Sequence, residues 1–236
     1  MLYGEREVRD NIRNKDGKRV FYQGKGDQLT SSARDYLMRE RIPILPAEQA
    51  RPDRYRLLTG GYVEKKPEHM THLNGDILVS KTHPRIVFRG QMDQLEAILM
   101  LCQLKVDAAK RSAVEEILTL SRKILRCDVL EEPLEAEKLC GLTESEQRSR
   151  SHRPQDYYGQ AHFMPSVQDG EALLWLNLAR TTARNAERAA VEAFTDREGN
   201  LVREDIPLTL NRISSMLYIL MIELKKERQE GSGEIR

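Results

Sequence analysis

The sequence predicts an all-α protein, an antiparallel helical bundle of about five helices with an irregular, partly extended N-terminal segment. Apolar residues recur at helical spacing from 93 to 130, with no glycine or proline between them. The same period returns at 170–194 and again after residue 205. Residues 1–70 instead place turn signals between short apolar runs, which is typical of small, mixed elements.

These patterns divide the chain into three expected regions. The regions are a mixed extension at 1–65, the helical bundle at 66–228 and a flexible tail at 229–236. In the extension, Asn14-Lys-Asp-Gly17 predicts a turn. One helix is expected there, capped by Thr30 or Ser31. It runs to Arg41, and Ile42-Pro43 ends it.

The apolar period predicts four helices in the bundle region. Two of them lie between Asp93 and about Leu130, one runs from about Gly170 to Phe194, and one begins near Asp205 and ends in a charged run. Glu131-Glu-Pro133 ends the second helix, because proline cannot continue it. The polar, broken segment at 141–170 predicts a long functional loop with a little helix.

Composition argues against several classes of protein. With 236 residues, 39% of them hydrophobic, the chain can bury one or two cores. The formal net charge of +1 argues against a dedicated nucleic-acid binder. The three cysteines contain no CxxC pair, and no run approaches the roughly 18 apolar residues of a membrane span. We therefore expect a soluble, cytoplasmic protein without a disulfide framework.

Three arginines of the third bundle helix, Arg180, Arg184 and Arg188, repeat at i, i+4 and i+8 and share one face. Like charges at this spacing cost about 0.2–0.5 kcal/mol per exposed pair. Arginine forks turned toward one polyanion instead gain charge-assisted hydrogen bonds. The stripe is therefore either a solvated face balanced by Glu187 and Glu192, or a polyanion site.

Three further residues are candidates, each with a structural alternative. Asn211 is unfavourable inside an apolar helix, so it either bonds across helices or contacts a ligand. Asp93 is expected at a helix start, where its carboxylate suits the helix dipole and capping alone explains it. Phe163 lies in the polar loop and is either a local anchor or an apolar face for a flat ligand.

The histidines provide one conceivable metal cluster. His69, His72 and His83 surround Asp76, but their spacing is not diagnostic, so structural or surface roles are favoured and no metal is assigned. The run Thr71-His-Leu-Asn-Gly-Asp76 is turn-like and can present backbone N–H groups to phosphate. The motifs GxxxxGK[ST], GxGxxG and GxSxG are absent from the sequence.

Four motifs follow one another along the chain. They are Pro84-Arg-Ile-Val-Phe-Arg-Gly-Gln-Met-Asp-Gln-Leu95, Phe163-Met-Pro165, Leu178-Ala-Arg-Thr-Thr-Ala-Arg-Asn-Ala-Glu-Arg188 and Leu210-Asn-Arg-Ile-Ser214. Their order resembles the cobalamin adenosyltransferases of the propanediol-utilisation type. The stretches from Lys66 to Ala97 and from Leu125 to Pro133 are more similar to the ethanolamine-utilisation branch. The resemblance covers about residues 66–225.

The resemblance implies a reaction and a nucleotide site. Members of this family transfer the adenosyl group of ATP to the Co(I) of a corrinoid and release triphosphate. Carried over by motif, Arg184 and Asn211 would hold ATP, and Arg180 and Glu187 would flank that pocket. The phosphate loop would use Thr71, Gly75 and Asp76. Magnesium (Mg2+) would accompany the triphosphate.

The resemblance also implies a corrin side and a subunit boundary. Phe163 would displace the lower axial ligand of cobalt, which makes the four-coordinate ion easier to reduce. Arg188 would pair with Asp93 of a second copy in a homo-oligomer, with a trimer favoured over a dimer. The H-x11-CC-x2-C metal motif of some ethanolamine-utilisation members is missing here.

The resulting expectation is a corrinoid adenosyltransferase that supplies adenosylcobalamin to ethanolamine ammonia-lyase. That enzyme or its reactivase is a candidate partner, and association with a bacterial microcompartment is a candidate location. Two alternatives stay open: a non-catalytic corrinoid carrier or chaperone of the same fold, and a helical nucleic-acid or scaffold adaptor. Near-zero net charge and few aromatic residues argue against the adaptor.

Overall fold

A computed structural model of the protein describes residues 1–15, 18–47 and 55–233. The chain divides into two units. Unit 1 comprises residues 1–68 and 76–78, and unit 2 comprises residues 69–75 and 79–236. The division lies close to the boundary expected after residue 65, and the three regions expected from the sequence stay a prediction.

Unit 1 contains strands, so the prediction of an all-α fold is wrong. The strands of unit 1 are β1 (Leu2–Tyr3), β2 (Ile12–Lys15), β3 (Lys18–Gln23), β4 (Gln28–Leu29), β5 (Ile44–Pro46), β6 (Tyr55–Leu57) and β7 (Tyr62–Val63). Strand β8 (Met70–Asn74) belongs to unit 2, and β9 (Ile77–Ser80) is divided between the units after Leu78. β1 pairs parallel with β4, and β3 pairs antiparallel with β2 and parallel with β5. β6 pairs antiparallel with β7 and parallel with β9. The described residues therefore form a mixed α/β protein with three sheets.

The strands were missed because they are short and their partners are distant in sequence. β3 buries Val20 and Phe21 side by side, without the alternation that marks a half-buried strand. Its parallel partner begins at Ile44, which lies opposite Phe21. Strand formation at such a site depends on tertiary packing more than on local preference. Of the turn predicted at 14–17, residues 16 and 17 lie outside the described residues.

Two helices, α1 (Glu5–Asp10) and α2 (Ser31–Arg39), complete unit 1. Of the two predicted caps of α2, Thr30 is the one that forms, because its Oγ1 accepts a hydrogen bond from the Ala33 N–H at 3.3 Å. The helix ends before Arg41, whose φ of +52° turns the chain out of the helical conformation. The core of unit 1 consists of Val8, Phe21, Leu29, Ala33, Tyr36, Leu37 and Ile42.

Unit 2 is built mainly from helices. They are α3 (Pro84–Gln103), α4 (Ala108–Leu130), α5 (Glu144–His152), α6 (Pro154–Tyr158), α7 (Glu171–Phe194) and α8 (Asp205–Gly233), with a 3-10 turn at Val167–Asp169. The predicted ends of α4 and α7 and the start of α8 are confirmed. Residues 234–236 of the expected tail lie outside the described residues.

The start of α3 differs from the prediction. The helix begins at Pro84, and the ring nitrogen Nδ1 of His83 accepts a hydrogen bond from the Arg85 N–H at 3.2 Å as its cap. Proline suits the first turn of a helix because it lacks an N–H that would have no partner there. Asp93 therefore lies inside α3 on an exposed face, and its interpretation as a helix cap is wrong.

The segment predicted as a long loop forms two helices. Thr143 caps α5 through a hydrogen bond from the Glu146 N–H, and the Glu146 carboxylate accepts from the Thr143 N–H at 2.8 Å. Gln147 and Ser151, one turn apart, are the buried side chains of α5. A helix whose buried face is polar gives no apolar period, which explains why the sequence pattern missed it.

The long helices α3, α4, α7 and α8 share one apolar core. Its largest contacts join α7 to α8 and α7 to α3. Along α7 the buried positions are mostly small: Ala179, Ala183, Ala186 and Ala190. Small side chains let neighbouring helices approach closely. Because this face of α7 is buried, the arginines of the helix lie on its other faces. Within the described ranges, no helix has both the length and the apolarity needed to cross a bilayer.

Candidate functional site

The candidate site lies along α7 and α8. The guanidinium carbon of Arg180 lies 5.9 Å from the centre of the Tyr218 ring, and Asn211 Nδ2 donates to Glu187 Oε1 at 2.9 Å. The two contacts are seven residues apart on each helix, in opposite chain directions, so the helices run antiparallel. The two contacts are therefore about 10 Å apart along the helix axis. Arg184 lies between them, and we call Arg180, Arg184, Glu187, Asn211 and Tyr218 the α7–α8 face.

Within the described ranges, the arginines of this face have no carboxylate partner. The half-buried Arg180 donates from Nε and Nη2 to the amide oxygen of Asn177, at 3.2 and 2.9 Å. Burial, and then the charge of Arg184, lower the pKa of Arg180. Arg184 is exposed and forms no ion pair in the part of the chain that the structure describes. Glu187, which could balance it, is instead bonded to Asn211.

The amide of Asn211 is held in one orientation. Arg212 Nη2 donates to Asn211 Oδ1, and Asn211 Nδ2 donates to the Glu187 carboxylate. A guanidinium can only donate and a carboxylate can only accept, so these two neighbours distinguish the amide oxygen from the amide nitrogen. The cross-helix bond expected as the structural alternative is therefore present. One N–H of the amide remains for a ligand.

Arg212 is a residue to which the sequence analysis assigned no role. Only 9% of it is exposed, and its Nε and Nη1 find no hydrogen-bond partner among the described residues. Burial lowers the pKa of Arg212, and the charge of Glu144 opposes that shift. The available signal was an arginine inside the apolar period of α8, directly after Asn211.

Phe163 lies at the Tyr218 end of the face. Its ring centre is 6.0 Å from that of Tyr218, and Lys225 Nζ lies 4.4 Å from it. The preceding residue, His162, accepts or donates through Nδ1 at the Tyr218 hydroxyl, 2.9 Å away. Phe163 is half-buried against the core of unit 2. The α7–α8 face and the Phe163 ring therefore meet at Tyr218.

The predicted phosphate loop lies in a β-hairpin. Thr71 belongs to β8, and Gly75, with a φ of +50°, begins the turn that continues through Asp76. The carbonyl of Gly75 lies 3.0 Å from His72 Nδ1. Among the described residues, no hydrogen bond joins Thr71 or Gly75 to the α7–α8 face.

The predicted subunit pair does not form within one chain. Asp93 on α3 and Arg188 on α7 are both exposed, and neither belongs to an ion pair among the residues that the structure describes. Asp93 lines a cavity of about 450 Å³ together with Arg89, Leu125, Arg126, Val129 and Leu130. Its pairing with a second copy stays a prediction.

Two other arginines form a contrasting cluster, which the sequence analysis missed. Arg85 Nε and Arg89 Nε donate to the two carboxylate oxygens of Asp128 at 2.8 and 2.6 Å. Asp128 is fully buried at the end of α4. We call these three residues the Asp128 cluster. It joins the start of α3 to the end of α4.

The histidines named in the sequence do not gather into a metal centre among the described residues. Burial, followed by the charges of Arg85 and Arg89, lowers the pKa of His83, which acts as the cap of α3. Within the described ranges, no group of three or more His, Cys, Asp or Glu side chains could hold a metal ion.

Comparison with known proteins decides the family. Residues 61–224 match the family described as cobalamin adenosyltransferase. The chain belongs to this family. The resemblance drawn from the motifs is thereby confirmed. The match covers every helix from α3 to α7, and α8 as far as Leu224.

Several cobalamin adenosyltransferases are similar to the chain. It is 36% identical over 160 residues to the corrinoid adenosyltransferase EutT of Salmonella typhimurium and 34% identical to EutT of Escherichia coli K12. Each match covers 68% of this chain and 60% of the relative. The corrinoid adenosyltransferase PduO of Salmonella typhimurium is 33% identical over 151 residues, covering 60% of this chain and 43% of PduO. The chain thus spans about 60% of the length of the EutT relatives.

One solved structure has a fold similar to that of this chain. The chain resembles an arginine-to-lysine variant of a PduO-type ATP:co(I)rrinoid adenosyltransferase from Lactobacillus reuteri, complexed with ATP. The TM-score is 0.50 at 19% identity, over 69% of this chain and 92% of that one. At this identity the likeness concerns the fold alone.

Proposed function

We propose that this cobalamin adenosyltransferase transfers the adenosyl group of ATP to the Co(I) of a corrinoid, for use in ethanolamine utilisation. The family and the EutT relatives support the reaction class. The observation that carries the proposal is the α7–α8 face. There an exposed arginine, Arg184, has no carboxylate partner among the described residues and shares the face with an oriented amide, Asn211, with an aromatic ring at one end.

The proposed chemistry is a nucleophilic displacement at carbon. The electron pair of Co(I) forms the bond to the 5′ carbon of ATP, and the pair of the breaking C–O bond leaves with triphosphate. Charge therefore builds on the leaving group, where Arg184 and Arg180 can stabilise it. No general base is needed, because no proton is removed. A reaction without a general base agrees with the α7–α8 face, which offers hydrogen-bond donors and cations.

Asn211 and Glu187 are proposed to place the nucleotide. Since Arg212 and Glu187 fix the amide, its remaining Nδ2 hydrogen points in one direction at no further cost in conformational entropy. Preorganised donors of this kind position a ligand for in-line attack. Glu187, already bonded to the amide, flanks the site.

Phe163 is proposed to face the underside of the corrinoid. An apolar ring there excludes water and the lower axial ligand, so that cobalt loses a donor and is more easily reduced. Replacement of Phe163 with Ala should therefore slow the adenosylation of Co(II) substrate supplied with a reductant. The loss with chemically prereduced Co(I) should be milder. Equal losses in both assays would contradict the axial-ligand role.

Magnesium is proposed to reach the site on ATP. The described residues contain no group of ligands that would hold it independently. We therefore derive no step through the metal. Its contribution would be to neutralise charge on the triphosphate.

The assembly and its setting are proposals as well. A homo-oligomer, a trimer in preference to a dimer, would join Asp93 of one copy to Arg188 of the next. The product would serve ethanolamine ammonia-lyase, and that enzyme or its reactivase is the proposed partner. We place the protein in the cytoplasm, in association with a microcompartment.

One assay tests the proposed function. The protein is incubated with ATP, Mg2+ and reduced cobalamin, and both the cobalamin spectrum and triphosphate are followed. We expect adenosylcobalamin and triphosphate in equal amounts. If cobalamin binds but no triphosphate is released, the protein is instead a corrinoid carrier. Steeply salt-dependent RNA binding with no effect of ATP would favour the adaptor.

A further inference from the structure

Lys225 lies against the one aromatic ring to which the proposed function gives a role at cobalt. Its Nζ is 4.4 Å from the centre of the Phe163 ring. This distance is within the range at which an ammonium is attracted to the negative face of an aromatic ring. Lys225 is half-buried on α8, two turns after Tyr218.

The ammonium of Lys225 is itself fixed by a carboxylate. Lys225 Nζ donates to Asp169 Oδ1 at 2.7 Å, and Asp169 is a buried residue. The other oxygen of Asp169 accepts from the Ser166 N–H at 2.7 Å, and Arg228 donates to the Asp169 carbonyl. The carboxylate is thus held by its own backbone turn. Lys225 cannot leave the ring without breaking this ion pair.

The Phe163 ring is therefore contacted from two positions on one helix. Tyr218 and Lys225 are about 10 Å apart along α8, and the Phe163 ring centre is 6.0 Å from the Tyr218 ring and 4.4 Å from Nζ. The ring spans the gap between them. His162 fixes the start of the segment at the Tyr218 hydroxyl, and Asp169 fixes its end at Lys225.

We propose that Lys225, held by Asp169, is a positioning residue that fixes the Phe163 ring for its role beneath the corrinoid. The inference rests on the proposed function. Lys225 would act through Phe163 without touching the substrate. Lys225 lies one residue beyond Leu224, where the family match ends.

The test compares three variants at the pair with one matched control. Lys225→Met keeps the apolar stem and removes the charge, Lys225→Arg keeps a cation, and Asp169→Asn removes the anchor. The control is Lys226→Met, because Lys226 is the exposed neighbour of Lys225. Its Nζ lies at the long distance of 3.8 Å from Glu230 Oε1 on the same helix. Circular dichroism and thermal midpoints report whether each variant folds.

The decisive readout is the split between two substrates. With Co(II) substrate and a reductant, Lys225→Met should be about five- to tenfold slower, the size expected of one partly buried cation–ring contact. With prereduced Co(I) the loss should stay within about twofold. Lys225→Arg should restore most of the Co(II) rate, Asp169→Asn should lie between, and Lys226→Met should match the unmodified protein.

A spectroscopic measurement tests the same difference between the Co(II) and Co(I) substrates. With ATP and Co(II) corrinoid bound, the electron paramagnetic resonance signal of four-coordinate cobalt should weaken in Lys225→Met and return in Lys225→Arg. Equal losses with both substrates, or an unchanged signal in a folded Lys225→Met, would overturn the inference. An unmodified protein that forms no adenosylcobalamin from Co(I) would refute the proposed function itself, which keeps the two failures distinct.

Discussion

Unit 2 uses arginine in two different ways. In the Asp128 cluster, Arg85 and Arg89 both pair with one fully buried carboxylate. On the α7–α8 face, Arg180 bonds a neutral amide, and Arg184 has no ion pair among the described residues. A half-buried guanidinium paired with a buried carboxylate is part of the fold, since removing one partner leaves an uncompensated charge. An exposed, unpaired one is available to an anion. The contrast separates stability from ligand binding.

The largest expected effect lies in the Asp128 cluster. Asp128→Asn removes the charge that two half-buried guanidiniums share, so the free energy of unfolding should fall by about 3–5 kcal/mol. Urea denaturation checks this. Glu131→Gln is the matched control, because Glu131 is an exposed partner of Arg85 and should cost less than about 1 kcal/mol. Equal stability in the two variants would remove the contrast.

The α7–α8 face should show the opposite behaviour. Arg184→Ala should lower turnover by about 10²–10³-fold, the range found when one charge-stabilising donor is removed. Its free energy of unfolding should stay within about 0.5 kcal/mol of the unmodified protein, because the side chain is exposed. Arg122→Ala, an exposed arginine on α4, is the control. Unchanged turnover in Arg184→Ala would defeat the assignment.

Arg212 tests a case between the two. It is buried, as Asp128 is, yet it bonds the amide of the face. Arg212→Met should raise the Kd for ATP by about tenfold, and the change should largely vanish when Asn211→Ala is already present. Calorimetric titration of ATP into the unmodified protein, the two single variants and the double variant gives the coupling free energy between Arg212 and Asn211. We expect this energy to be about 1–2 kcal/mol. Additive effects would mean that Arg212 does not act through Asn211.

The smallest expected effect is a pH dependence at Asp169. Its hydrogen bond from Lys225 holds the pKa of the carboxyl below its ordinary value of 3.8. The pair therefore stabilises the fold above that value, and this contribution is lost as the pH falls through the folded pKa. Asp169→Asn should cost more stability at pH 6 than at pH 3, measured by urea denaturation at both. The same cost at both pH values would contradict this.

Sequence reasoning succeeded where structure is local. The apolar period and terminal signals placed α4, α7 and the start of α8, and Thr30 was recognised as a cap because its bond spans three residues. The strands of unit 1 could not be found in this way, since partners such as β3 and β5 are more than twenty residues apart in the sequence. Asp93 was misplaced because the apolar period was counted only from residue 93, although α3 begins at Pro84 and includes Gly90, which a helix tolerates at a modest cost.

The site shows the same division. The i, i+4 spacing predicted that Arg180 and Arg184 share a face, and the motif resemblance gave Glu187, Asn211 and Phe163 their expected roles. Lys225, Tyr218 and Arg212 were missed as contributors, because their contacts cross between helices or between a helix and a loop. Such contacts depend on the register of α7 against α8, which no local pattern specifies.

A structure of the protein with ATP bound tests the central claim most directly. We predict that the Arg184 guanidinium lies within hydrogen-bond distance of a phosphate oxygen, and that Asn211 Nδ2 contacts the nucleotide while Glu187 keeps its bond. If ATP binds elsewhere and both side chains remain in solvent, the α7–α8 face is not the nucleotide site and the account fails.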